Sequence, residues 1–408
     1  MISELLKIRQ IETAVRVSNT KVEAVRIKDI VKKGVRIYDG SHIGISGAIG
    51  DVSDDALIQK ATENLTTHIV YPYPVESGTK DHRLFDQNII SPKALLAHAE
   101  NILGALRTEF PEFDFSEKLS TNQTEYTLSN SKGLDLLYKD SFVSIELILK
   151  EKSSANLFDG FIGYMGRLFD EAKFLAFNRT YLEAYKTKVE LPEGERLPVF
   201  TLQFHELSGF LNKSLNGERY ATGSSLFSGQ LNETVFNDAI TINQNFNSEE
   251  TYTPFFDHEG CRLENNKRPL IKNGKLVSVF TDKKVADTYN LPHTGAASGD
   301  YDGAPLLGFT NLRFEVDHVD AKKALNGQLA ILVIVAGGGD FTSDGQFASP
   351  VQISFLFDGE KVLGKLPEFQ IRSQLKNMLG DDYIGTFETP LYFGDHERIQ
   401  GYYMDIVR

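Results

Sequence analysis

The longest uninterrupted apolar run in this chain is eight residues, Leu329 to Ala336. A helix crossing a bilayer needs about 20, so the run reads as a buried strand and no membrane partner is expected. Similar short runs recur through the second half of the chain, which is richer in strands, whereas the first 190 or so residues alternate strand and helix patterns. The pattern predicts an α+β protein of two domains. The N-terminal one is a mixed antiparallel sheet with helices, and the C-terminal one is mainly antiparallel β with few helices. Its 408 residues exceed one domain of roughly 150 residues. The boundary is placed at Leu191-Pro192-Glu193-Gly194-Glu195-Arg196, where Pro, Gly and charge cluster and periodicity stops, giving domains 1–190 and 191–408.

In the first domain, Val22 to Ile27 and Val35 to Tyr38 read as strands, and Gly40, Gly44, Gly47 and Gly50 read as small residues on a close-packed strand. Ser53 followed by Asp54 and Asp55 starts a helix, with a capping side chain and two acids in the positive first turn. Ser91-Pro92 starts another, with Pro where its missing N–H costs nothing. There Leu95, Ala99, Ile102, Leu103 and Leu106 share one face. Thr124 to Leu149 returns to β through a turn at Asn130-Ser131-Lys132-Gly133, and a helix follows from Asp170 to Lys186. In the second domain, Leu197 to Phe204 reads as a strand, Glu233 to Ile240 as a short helix, and Ile271 to Phe280 as a hairpin turning at Asn273-Gly274. Phe314–Val316, Ala330–Val335, Val351–Phe357 and Lys361–Leu363 continue the β pattern. Ile371 to Met378 reads as a helix closed by Gly380.

Cys261 is the lone cysteine, which excludes an intramolecular disulfide and any Cys-x-x-Cys metal or redox pair and suits a reducing compartment. The first ten residues mix Glu4, Lys7 and Arg9 into the apolar ones, so no secretory signal is expected there and a cytoplasmic location is. With 43 Lys and Arg against 56 Asp and Glu, the net charge is −13. Direct nucleic-acid binding is therefore not expected, because it needs a cationic face.

His205-Glu206 follows an apolar strand. Imidazole can hold a divalent metal while the carboxylate takes a proton from its bound water. A His-Glu-x-x-His site would need His at Gly209, and a longer spacing would need it at Phe210, so spacing alone reads as a surface dipeptide opening a helix. His258 and Cys261 lie three apart, and His293 precedes a Gly-rich loop; the other histidines have no ligand spacing. Gly337-Gly338-Gly339-Asp340 lacks the Lys-Ser/Thr of a phosphate loop and reads as a tight turn. No Gly-x-Ser-x-Gly elbow occurs.

The stretch Gly34-Val35-Arg36-Ile37-Tyr38-Asp39-Gly40 through Gly44-Ile45-Ser46 to Ser53-Asp54-Asp55-Ala56-Leu57 resembles the N-terminal signature of the TldD/PmbA family. That family comprises metallopeptidases also labelled modulators of DNA gyrase. Later segments resemble it in the same order: His205-Glu206; Gly223-Ser224-Ser225-Leu226-Phe227-Ser228-Gly229; Phe256-Asp257-His258-Glu259-Gly260; Leu270-Ile271-Lys272-Asn273-Gly274 with Phe280-Thr281-Asp282; Thr310-Asn311-Leu312; and Gly337-Gly338-Gly339-Asp340. The likeness runs from about residue 10 to about 385.

In the family's catalytic branch the zinc motif is His-Glu-x-x-x-His, and a cysteine before the glycine triplet completes the site. Carried over, His205 and Glu206 are kept as the catalytic pair, but the second His position is Phe210 and the Cys position is Ala336. The resemblance thus implies a degenerate site, no metal ligand set and no cofactor. Gly337, Gly338, Gly339 and His293 fall on the substrate side, and glycines there let a peptide backbone approach a sheet edge. The implied function is a peptidase-like protein that binds an unfolded peptide or protein segment. As partner subunit of a metallopeptidase it would form a homodimer, or a heterodimer with a paralogue. The alternative is an active zinc metallopeptidase with unconventional ligands, such as His205 with His258 or Cys261 and Glu206 as general base.

Overall fold

Two long hairpins carry the first half of the chain. Strand Ile2–Ser18 turns at Asn19 and Thr20, both at positive φ, into Lys21–Tyr38. Phe113–Asn130 turns through Gly133 into Asp135–Glu151. The computed structural model describes all residues except Gln203, Phe204 and His318.

Side by side, these strands form an eight-stranded sheet with Ile69–Val70, His42–Ile49, Lys80–Phe85 and Gly160–Gly166. All its pairings are antiparallel except Lys80–Phe85 beside Asp135–Glu151. That last strand changes neighbour along its length, pairing Lys80–Phe85 through residues 135–140 and Gly160–Gly166 through 143–149. Alternation sets its faces: Ile145, Leu147 and Leu149 are buried, while Glu146 and Ile148 are exposed. Helix Pro92–Glu109 covers the sheet. Ser91 Oγ accepts the Ala94 N–H at 3.2 Å, and Leu95, Ala99, Ile102, Leu103 and Leu106 are all buried in the core with Val15, Phe113 and Phe115. Each such large side chain contributes about 1.5–3 kcal/mol.

The second half is built on a nine-stranded sheet, ordered Asp340–Phe341, Gln346–Val351, Phe369–Gln374, Arg398–Val407, Arg196–Thr201, Ala330–Val335, Ile353–Phe357 and Val362–Lys365, with Tyr383–Glu388 also on Arg398–Val407. Arg196–Thr201 and Ala330–Val335 are parallel neighbours at its centre, which is why both are almost wholly apolar and buried. A four-stranded sheet holds the hairpin of Lys267–Lys272 and Lys275–Leu276. Asn273 (φ 49°) and Gly274 (φ 71°) form its turn as expected.

The fold is therefore α+β with antiparallel sheets dominant. Several elements differ from the sequence reading. Val22–Ile27 and Val35–Tyr38 are one strand. Glu233–Ile240 is not a helix, because its N–H groups at Val235 and Phe236 bond the Gly274 carbonyl. Residues 371–374 belong to strand Phe369–Gln374, and only Leu375–Met378 is helical. The end of the expected strand Leu197–Phe204 lies outside the described residues, as does His318.

The two halves meet where the N-terminal sheet lacks side chains. Gly34 and Gly47 are cross-strand partners, and the backbone of Tyr301 and Asp302 lies on them. Beside them Arg36, 1% exposed, donates from Nη1 to the His258 carbonyl at 2.5 Å and from Nε to the Gly303 carbonyl at 3.3 Å.

Candidate functional site

The central strand Arg196–Thr201 leads toward helix His205–Ser214. Leu207, Leu211 and Ser214 recur at one turn and bury one face, which leaves His205 exposed and Glu206 half-buried at the first turn. Both line a cavity of about 490 Å³. Its walls are mostly apolar: Leu202, Val333, Ile334 and Ala336 come from the C-terminal sheet, and Ile145, Phe161, Tyr164 and Met165 from the N-terminal one.

The two positions that the resemblance assigns to a second His and a Cys are filled by carbon. Phe210 is half-buried with its ring 5.1 Å from that of Phe341, which in turn is 4.8 Å from Phe347. Phe210 and Ala336 both pack on the large C-terminal core cluster. Nothing at either position donates to a metal. Immediately before Phe210, Gly209 has open space where a Cβ would stand. Because Gly in a helix interior costs about 1 kcal/mol relative to Ala, Gly209→Ala is expected to raise stability by about that amount in a denaturant titration. A loss instead would show that the helix uses this glycine for close approach.

The glycine triplet is held as a turn. Gln352 accepts the Gly337 N–H at 2.8 Å and donates to the Gly337 carbonyl at 3.2 Å, and Gly339 lies against Ser349. Ala336 lines the cavity; Gly337, Gly338 and Gly339 are not among its lining residues. The structure thus brings together His205, Glu206 and Ala336, and it places His293 elsewhere.

His293 belongs to a second group. Among the described residues, the donor side chains that converge are Asp257, Glu259, Cys261 and His293, whose ligand atoms all lie within 4.8 Å of one another. Cys261 Sγ is 3.9 Å from His293 Nε2, and His293 Nε2 is 3.5 Å from Glu259 Oε2. Asp257 accepts the N–H groups of Glu259, Cys261 and Ala297. Burial and the Glu259 charge push its carboxyl up. Glu259 is buried as well, but His293, Tyr71 and Lys283 outweigh that cost and hold it below the usual range. Burial and the Asp257 charge push the Cys261 thiol up, so it is no ready nucleophile. His258 does not join this group. Burial and then Arg36 depress its imidazole to about 4, and its Nδ1 has no protein partner.

Sequence reasoning found His205, Glu206 and the 336 position, but not the cavity wall from residues 145 and 161–165, which only the sheet pairing delivers. It also singled out His258 where Asp257 and Glu259 converge with Cys261. The available signal was density: three donor side chains fall within five residues, and a tight turn closed by the Asp257 N–H on the Cys261 carbonyl gathers them.

Among the described residues, no helix is long and apolar enough to cross a membrane. The profile of the PmbA/TldA metallopeptidase C-terminal domain matches residues 201–386. No curated protein sequence matches the chain. Three solved structures share the fold over 100% of the chain. TldE from Thermococcus kodakarensis is 16% identical with a TM-score of 0.81, and 97% of it is covered. Candidate modulators of DNA gyrase from Thermotoga maritima (15% identical, TM-score 0.73, 96% covered) and from Bacteroides thetaiotaomicron (14%, 0.77, 94%) are also similar. Residues 201–386, which span the His205 helix and the glycine turn, thus match the C-terminal domain of the TldD/PmbA family, and the chain as a whole shares the fold of these three structures.

Proposed function

We propose that this chain is a TldD/PmbA-family protein, peptidase-like without peptidase chemistry at the His205 cavity. It binds an unfolded peptide segment there and serves as partner subunit, to a second copy or to a metal-bearing paralogue. The observation that carries this reading is the apolar packing of Phe210 onto Phe341, with Ala336 beside the same core, at the two positions where the family's catalytic branch has ligands. One imidazole and one carboxylate do not make a catalytic zinc site, which keeps three protein ligands. The wall of aliphatic and aromatic side chains favours an extended, apolar segment over a charged small molecule. The lone cysteine favours a cytoplasmic setting.

Fluorescent unstructured peptides test this, with anisotropy reporting binding and mass spectrometry reporting cleavage. Binding without chelator-sensitive cleavage is expected, and Glu206→Gln should leave Kd within about twofold, well under 1 kcal/mol. Ala336→Trp, which fills the cavity, should weaken binding by about tenfold or more. Cleavage that stops both with chelator and in Glu206→Gln would overturn the proposal in favour of an active metallopeptidase.

A further inference from the structure

The group at Asp257, Glu259, Cys261 and His293 lies outside the His205 cavity and has no part in the peptide reading. Three of its members are buried and the fourth, His293, is one-third exposed at 32%. Two buried carboxylates and a thiol lose hydration together, and buried charges are as a rule paired or bound to a metal; Lys283 supplies one cation for the group. We propose that these four side chains form a binding site for a divalent transition metal of the zinc class, which fastens the 71–76 segment to the C-terminal loops.

The geometry fits such an ion. Bonds of about 2.0–2.3 Å to nitrogen, oxygen and sulfur set the ligand atoms of a tetrahedron about 3.3–3.8 Å apart. The Cys261–His293 and His293–Glu259 separations of 3.9 Å and 3.5 Å already match within a few tenths of an ångström. Asp257, at most 4.8 Å from the others, needs a shift below about 1.5 Å to join them. Thiolate and imidazole together select zinc-like ions over magnesium or calcium, which take oxygen donors.

The surrounding shell is also built. Tyr71 donates to Glu259 Oε1 at 2.6 Å and the Lys283 N–H to Oε2 at 3.2 Å, which fixes that carboxylate. Three backbone N–H groups fix Asp257, and Arg268 donates to the His293 carbonyl at 2.7 Å. Such outer contacts orient ligands and tune affinity. The nearby Lys283 ammonium bonds Glu76 at 3.1 Å and the Pro74 carbonyl at 2.7 Å. Its charge is shared among Glu76, Glu259 and Cys261, and Glu76 Oε1 also accepts from Cys261 Sγ at 3.6 Å, so the site holds more anionic groups than its one ammonium balances. The partly exposed imidazole supplies the entry path, and Tyr71 ties the ion's shell to the N-terminal half.

Cobalt(II) titration of the full-length protein tests the site. The expected result is one equivalent bound, with a near-ultraviolet thiolate-to-cobalt charge-transfer band and tetrahedral visible bands, all displaced by zinc. Cys261→Ser should abolish the charge-transfer band, and His293→Ala should weaken binding by about tenfold or more. His205→Ala should leave both unchanged, which keeps this result separate from that of the peptide proposal. Absence of the charge-transfer band in protein with a native circular-dichroism spectrum would overturn the site. So would a band that survives Cys261→Ser, or one lost with His205→Ala.

Discussion

Arg167→Ala is expected to lower the unfolding free energy by about 3–5 kcal/mol, the range for removing one partner of a buried ion pair, as read from a denaturant titration. The pair is bidentate: Arg167 Nε reaches Asp140 Oδ1 and Nη2 reaches Oδ2, both at 2.8 Å. Asp140 is 1% exposed and the arginine side chain 12%. The guanidinium lies over the rings of Phe85 and Tyr252, at 4.6 Å and 4.9 Å. It also donates to the carbonyls of Ser248 and Thr251, so one side chain joins the N-terminal sheet to a C-terminal loop. Without it, the Asp140 carboxylate keeps only the neutral donors Tyr138 and Ser141, and two loop carbonyls lose a donor. Arg167→Lys should recover only part of the loss, because an ammonium cannot reproduce the fork. The exposed pair Arg179–Glu109, at 48% and 34% exposure, sets the scale: breaking it should cost under about 1 kcal/mol. A loss that small for Arg167→Ala would show that water replaces the cation and would defeat the prediction.

What the sequence made legible follows from how local each signal is. The helix Pro92–Glu109 carries its cap, its Pro and its apolar face within one stretch, and all three were readable. Asn273-Gly274 was readable for the same reason, since positive φ at two adjacent residues is a demand on residue type alone. The strand Ile2–Ser18 was not, because charged residues interrupt its apolar positions and its stability comes from partners far along the chain, Lys21–Tyr38 on one side and Phe113–Asn130 on the other. Ile371–Met378 reads as helical on composition, yet Phe369 and Ile371 alternate into the core and their backbone pairs with Gln346–Val351. Tertiary pairing overrode local preference. The candidate site divides in the same way. His205, Glu206 and Ala336 could be aligned by order along the chain, whereas Phe161, Tyr164 and Met165 reach the cavity only through a strand paired with Asp135–Glu151.

Gly34→Ala is the second large effect, with an expected loss of about 3 kcal/mol, the upper end for overpacking a close contact. A Cβ at this position would stand 1.6 Å from the Tyr301 carbonyl oxygen and 2.7 Å from its carbon. Both are backbone atoms that no rotamer change can move, so either the strand or the 301–303 loop must shift. Gly47, opposite Gly34 in the pairing, faces the same constraint, with a Cβ 2.3 Å from that of Asp302. Displacing the loop would also pull the Gly303 carbonyl away from Arg36. That arginine is wholly buried, with Glu4 Oε1 at 3.4 Å and the His258 carbonyl as its remaining ties, and a buried cation with fewer partners is costly. Limited proteolysis should therefore find new cleavage around residues 299–303 in the variant, alongside the lower denaturation midpoint. A loss below about 0.5 kcal/mol, the scale of an unconstrained surface change, with an unchanged digestion pattern would mean that the loop does not rest on the sheet. The contrast with Gly209, where a methyl meets open space, separates close packing from mere small size. It also gives the N-terminal family signature a physical content. Gly34, Arg36 and Gly47 are the surface on which the C-terminal loops dock, and those loops carry His258 and its neighbours Asp257, Glu259 and Cys261.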